Sequence, residues 1–130
     1  MKFLGSAIAC CAMLAACYAA PRVSTNDPLP EEVQTYGGNI IKQIGPRLAG
    51  DADFSSGFHV LLVNGGVTID YVTLPAVRHS KVGDHVLACL IDIPKDCPPG
   101  DVRGRIYTIT NLRTLESWTG ADSQHRFGGA

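Results

Sequence analysis

The chain has 130 residues, 45% apolar and 18% charged, with a formal net charge of -1 and five cysteines. That length holds one ordinary domain and excludes a multidomain enzyme or a repeat array. The near-neutral balance gives no electrostatic case for nucleic acid or for an anionic membrane surface.

Residues 1–20 read MKFLGSAIACCAMLAACYAA, with 17 apolar residues among the 20. Lys2 precedes an uncharged run from Phe3 to Ala16, and small residues follow, which is the layout of a secretory signal peptide over residues 1–16. The run falls short of the roughly 20 residues a membrane-spanning helix needs, so the processed chain is expected not to cross a bilayer. A buried N-terminal helix is the structural alternative, and the lack of a polar stripe argues against it.

Within this segment Leu14-Ala15-Ala16-Cys17 resembles the bacterial lipobox, a Leu, two small residues and a Cys at the end of the apolar run. The resemblance implies a lipoprotein: diacylglycerol joined by a thioether to Cys17, cleavage before it, and an acylated (palmitate-bearing) amine. More than one buried acyl chain makes such attachment stable. Tyr18 follows where an Asp would mark inner-membrane retention, so the implied location is the outer membrane, facing the periplasm. The competing expectation is ordinary secretion with cleavage before Ala20.

Residues 17–30 read as lipid anchor and flexible tether, because 18–30 hold three prolines and several small polar residues. A single globular domain is expected over 31–119. Pro30-Glu31-Glu32 resembles a helix start, and Val33, Tyr36, Ile40, Ile41, Ile44 and Leu48 follow a rough helical spacing interrupted by Gly37-Gly38. One broken helix, or a short one ending before Pro46, is expected there.

From Phe58 the period changes to two. Phe58–Val63 and Val67–Leu74 flank Asn64-Gly65-Gly66, a strong hairpin signal. His85–Ile93 is the most apolar strand candidate. Arg105–Thr110 and Thr114–Trp118 form a second expected hairpin around Asn111-Leu112-Arg113, and residues 120–130 read as a polar tail. The fold class is therefore mainly β (α+β): a small antiparallel sheet or barrel of about five strands with one N-terminal helical segment. Val60, Leu62, Ile69, Val72, Leu87, Leu90, Ile91, Ile106, Ile109 and Trp118 are the expected core.

Cys89 and Cys97 are the internal pair left after processing, in a compartment that permits oxidation. Bonded, they would staple the central strand to the loop after it, a contribution of about 2–3 kcal/mol by chain entropy. A redox pair would more usually show C-x-x-C spacing.

Signals for chemistry are weak. His59, His79, His85 and His125 show no H-E-x-x-H spacing, and strand-end or surface histidines account for them, so no metal or other cofactor is expected. The serines lack a G-x-S-x-G elbow. Asp84 and His85 are adjacent, which on a strand sends them to opposite faces. Asp51/Asp53 and Glu31/Glu32 read as a turn and a helix start. Tyr107 and Trp118 could stack on a ligand, but two-period spacing favours core for the Trp.

The remaining surface is the loop after the central strand. Asp96, Asp101, Arg103 and Arg105 flank Cys97-Pro98-Pro99-Gly100, a proline-stiffened segment of mixed charge. Rigid loops lose little entropy on binding, which suits protein recognition. The expected function is thus a non-catalytic, membrane-anchored periplasmic protein that binds another protein. The leading form is an inhibitor or immunity protein against a secreted cell-wall-degrading enzyme. Alternatives are a structural accessory of an envelope or secretion complex, and a small periplasmic hydrolase using His85 or His125. Contact with the membrane is expected through the lipid alone.

Overall fold

The computed structural model describes residues 23–125. The lipobox and Cys17 lie outside the described residues. Six strands and one short helix are present: β1 (Tyr36–Pro46), β2 (Phe58–Leu62), β3 (Val67–Asp70), α1 (Pro75–His79), β4 (His85–Asp92), β5 (Ile106–Asn111) and β6 (Ser117–Ala121). The strands are antiparallel and close into a barrel in the order β1-β2-β3-β6-β5-β4. The mainly β fold read from the sequence is present, with six strands where about five were expected.

The additional strand is β1, which replaces the expected N-terminal helix. The helical spacing over 31–48 does not mark a buried stripe, for Val33, Tyr36 and Leu48 are all exposed. What decides the conformation is the Gly pair, with Gly37 opposite Ala88 and Gly38 opposite Leu87 on β4. A side chain at Gly38 would collide with the Ser24 carbonyl, so glycine here lets the preceding segment lie against the strand. The tether expected over residues 17–30 is therefore docked against β1 from Ser24 onward among the described residues. Asp27 N–H donates to Gly38 O at 2.9 Å, Leu29 packs against the core and Pro30 is buried. The polar tail also begins later than expected, since β6 runs to Ala121.

The barrel consists of two three-stranded meanders, β1-β2-β3 and β4-β5-β6, joined along β1–β4 and β3–β6. An approximate two-fold axis passes between Gly38 and Leu87, which pair in the middle of the β1–β4 contact. It carries the bulge between Ile41 and Gln43 onto the bulge between Leu90 and Asp92. Each bulge follows a buried residue, Ile41 or Leu90, and bends its strand. The first half of β1 can thus pair with β4 and the second half with β2.

Alternation places Phe58, Val60, Leu62, Val86, Ala88, Leu90, Tyr107, Ile109 and Trp118 inside, joined by Ile41 and by Ala76 and Val77 of α1. Five of the ten expected core residues are buried: Val60, Leu62, Leu90, Ile109 and Trp118. Ile69, Leu87 and Ile106 are only half-buried. Val72 and Ile91 are exposed, because β3 stops at Asp70 and the β4 bulge turns Ile91 outward. Phe58, Val86, Ala88 and Tyr107 are further core positions; Val86 and Ala88 belong to the run Val86–Ile91, where unbroken apolar sequence does not announce which parity faces in.

Candidate functional site

The expected recognition residues, Asp96 to Arg105, lie in the connection between β4 and β5, residues 93–105. Pro98-Pro99-Gly100-Asp101 closes a turn in which Asp101 N–H donates to Pro98 O at 3.0 Å. Gly100 has φ +82°, as the third residue of a type II turn requires, and Pro99 presets the second. Arg103 then grips Asp101 through Nε (2.9 Å) and a terminal nitrogen (2.8 Å), while its own N–H also donates to Asp101 Oδ1 at 3.2 Å. These bonds hold the Asp101 carboxyl below its ordinary range and raise the Arg103 guanidinium. At the exit, Gly104 N–H donates to Asp122 Oδ1 at 2.8 Å, and Asp122 N–H donates to Arg105 O at 2.9 Å.

Asp96, Pro98, Pro99 and Arg103 are exposed and Asp101 is half-exposed, and the turn and the fork bring Pro98, Asp101 and Arg103 together. Arg105 does not join them. It is half-buried, with an Nε unpartnered among the described residues, near the buried Tyr107 phenol and Cys97. Its place in the β5 alternation explains this, since Arg105 shares the inward parity of Tyr107.

Cys89 and Cys97 are free thiols, and the expected staple is not formed in this structure. Cys89 sits mid-strand between Tyr36 on β1 and Thr108 on β5, at an outward parity. Cys97 lies 3.3 Å from Pro94 O instead. Burial, then the carboxylates of Asp101 and Asp96, push its thiol above the ordinary value.

The histidines are dispersed. His59 Nδ1 lies 2.9 Å from Pro46 O, and His79 Nδ1 lies 3.0 Å from Glu116. His85 and His125 are exposed, and Asp84 is buried beside the outward His85, as the adjacency rule required. Among the described residues, no group of three His, Cys, Asp or Glu side chains is placed to hold a metal. Asp51 accepts from the Ser55 hydroxyl and the Ser56 N–H, which is the expected turn chemistry.

Two further clusters went unread in the sequence. One is buried at the start of β4. Asp84 receives Arg113 Nε at 2.7 Å, Arg113 Nη2 at 2.9 Å, Asn111 Nδ2 at 2.8 Å and Lys81 N–H at 2.8 Å. Asn111 Nδ2 also reaches Ser80 Oγ at 2.8 Å. The Arg113 fork outweighs burial and holds the Asp84 carboxyl well below the usual carboxylate range.

The other is a cleft where β3 and β6 part company. These strands share one pair, Ile69 with Ala121, against the four and five pairs of the hairpins β2–β3 and β5–β6. The opening has a volume of about 230 Å³ and is lined chiefly by Ile69, Asp70, Tyr71, Ile106 and Thr119. Arg47 roofs one side, with its guanidinium 4.3 Å from the Tyr71 ring centre and a terminal nitrogen 3.0 Å from Gln124 Oε1. Positions 47, 71 and 124 are far apart in the chain, so no local pattern announces them. Comparison with profiles of protein families, with curated proteins and with solved structures found no match.

Proposed function

We propose that this chain is a lipid-anchored, protein-binding module of the bacterial envelope, held at the outer membrane through Cys17 and facing the periplasm. Its recognition element is the loop 93–105. The observation that carries the reading is the loop's construction: a Pro-Gly turn, an internal Arg103–Asp101 fork and an exit tied to Asp122. A segment already held in one shape forfeits little conformational entropy on binding. Pro98, Pro99 and Val102 are exposed on it, offering apolar contact beside fixed charges. In its sharpest form the reading is an inhibitor or immunity protein whose proline tip enters the cleft of a secreted cell-wall-degrading enzyme.

One observation favours the scaffold alternative. The six strands carry only three charged residues, Lys42, Asp70 and Asp92, so the outer barrel wall suits extended packing in an assembly. Cross-linking of the full chain to periplasmic extract separates the two. The loop reading expects a retained partner that is lost at least tenfold in Pro98→Gly/Pro99→Gly; an unchanged partner set overturns it. For the anchor, fatty-acid labelling that persists in Cys17→Ser overturns the lipoprotein reading.

A further inference from the structure

The cleft between β3 and β6 has a chemistry of its own. Hydrogen bonds from Asn111 N–H to Glu116 O and from Asp122 N–H to Arg105 O fix the parity of β6: its even-numbered residues bond to β5. The N–H and C=O of Thr119 and Ala121 therefore point toward β3. Ala121 meets Ile69 there, whereas Thr119 faces the gap in which Tyr71 would have paired with it. Tyr71 has turned out of the strand, and its N–H is taken by Asp70 Oδ1. Among the described residues the Thr119 N–H and C=O have no partner on this side, and an exposed strand position with free main-chain groups is a template for another strand.

The side chains around that edge limit what it can accept. Ile69, Ile106 and Ala121 give the cleft an apolar floor, and about 230 Å³ is room for one large side chain, below the roughly 300 Å³ of the smallest typical small-molecule pockets. Asp70 stands at the rim and forms no ion pair among the described residues, whereas Arg47 is occupied by Gln124 and Ser56 O. Arg47 keeps its positive charge, since both its acceptors are neutral, but its donors are committed on the far side of Tyr71, which leaves the Asp70 carboxylate as the rim group open to an incoming cation.

We propose that this cleft binds an extended peptide segment of a partner protein, added as a strand along the Thr119 edge of β6. An aromatic or large aliphatic side chain of the peptide fills the opening, and a neighbouring Lys or Arg pairs with Asp70. Main-chain bonds give such complexes their affinity and alternate side-chain pockets their selectivity. The inference goes beyond the loop reading and needs neither the anchor nor residues 93–105.

Panning a phage-displayed random nine-residue library on the immobilised full chain tests it. Expected are enriched sequences with a basic residue next to an aromatic or large aliphatic one. Synthetic copies should lose at least tenfold in affinity when N-methylated on the edge facing β6, and at least fivefold against Asp70→Lys. Thr119→Pro, which removes an N–H that β5 does not use, should match the N-methyl loss. No enrichment, or binding indifferent to both N-methylation and Asp70→Lys, overturns the proposal. Binding seen only after removal of residues 126–130 assigns the cleft to the chain's own Arg126-Phe127 and overturns a separate partner. Concentration-dependent dimers abolished by Thr119→Pro assign it to a second copy, with the same consequence.

Discussion

The two ends of the barrel are built alike and fastened differently. The approximate two-fold axis relates the segment before β1 to the segment before β4, and each plugs one end: Leu29 and Pro30 at one, Ala76 and Val77 of α1 at the other. At each end an asparagine opens a hairpin turn and accepts from the N–H two residues on, Gly66 N–H to Asn64 Oδ1 at 2.9 Å and Arg113 N–H to Asn111 Oδ1 at 2.8 Å. Each then reaches across to its plug. Asn64 Nδ2 meets the Asp27 carbonyl at 3.0 Å, a neutral bond at a half-buried site. Asn111 Nδ2 meets Ser80 Oγ and the Asp84 carboxylate in full burial. The same device is thus a latch at one end and the keystone of a charged network at the other.

Truncating the two asparagines breaks the likeness most visibly. Asn111→Ala strips Asp84 of a donor and leaves the N–H groups of Arg113 and Thr114 without their acceptor. Buried groups left unmade cost roughly 1–3 kcal/mol each, and partial rehydration near Arg113 holds the expected total to about 2–4 kcal/mol. Asn64→Ala acts where water can substitute, so about 1 kcal/mol is expected. Urea unfolding of the two variants checks the order. Equal losses would mean that the charged network adds nothing to the fastening.

Acid sharpens the same contrast. Asp84 has its carboxyl depressed chiefly by Arg113, and a depressed carboxylate stabilises the fold above its unfolded value of roughly 3.9. That contribution is lost as pH falls below about 4 and on through the lower folded value. Asp27 at the other end is lowered as well, chiefly by the Gly38 N–H, at a half-buried position with no cation beside it among the described residues. Asp84→Asn should therefore flatten the acid limb of the urea midpoint more than Asp27→Asn does. A steeper effect from Asp27 would place the acid-labile fastening at the wrong end.

The sequence spoke clearly where one signal had no rival. Asn64-Gly65-Gly66 produced the β2–β3 hairpin, and Cys97-Pro98-Pro99-Gly100 a loop closed by a proline-glycine turn. It misled over residues 31–48, because the apolar spacing there imitates a helix, while the Gly pair serves a close approach by Ser24 that only the folded chain reveals. The unbroken run Val86–Ile91 concealed its facing for want of polar alternation. The Asp84 network and the β3–β6 cleft escaped for a different reason. Asp84, Asn111 and Arg113, like Arg47, Tyr71 and Gln124, are ordinary residues at ordinary positions until barrel closure brings them together.

The smallest expected effect isolates the loop from both ends. Cys97 is held above its ordinary thiol value by burial first, then by the Asp101 and Asp96 carboxylates, with Arg105 opposing. A carboxylate disfavours the thiolate, so Asp101→Asn should lower the midpoint of the pH profile for Cys97 alkylation and speed the reaction at pH 8. The shift should be modest because the burial contribution remains. The urea midpoint should not move, since Asp101 bonds only within the loop, to Pro98 and Arg103. Alkylation followed by peptide mass mapping also reads these two thiols: modification of both the Cys89 and the Cys97 peptide matches the free pair seen here. A joined Cys89–Cys97 peptide pair, two mass units lighter than the sum of the two and unmodified by the reagent, would mean the two had bonded, which requires the loop to swing onto the outer wall of β4. In that case the loop owes its shape to a covalent tie rather than to the Asp101–Arg103 fork.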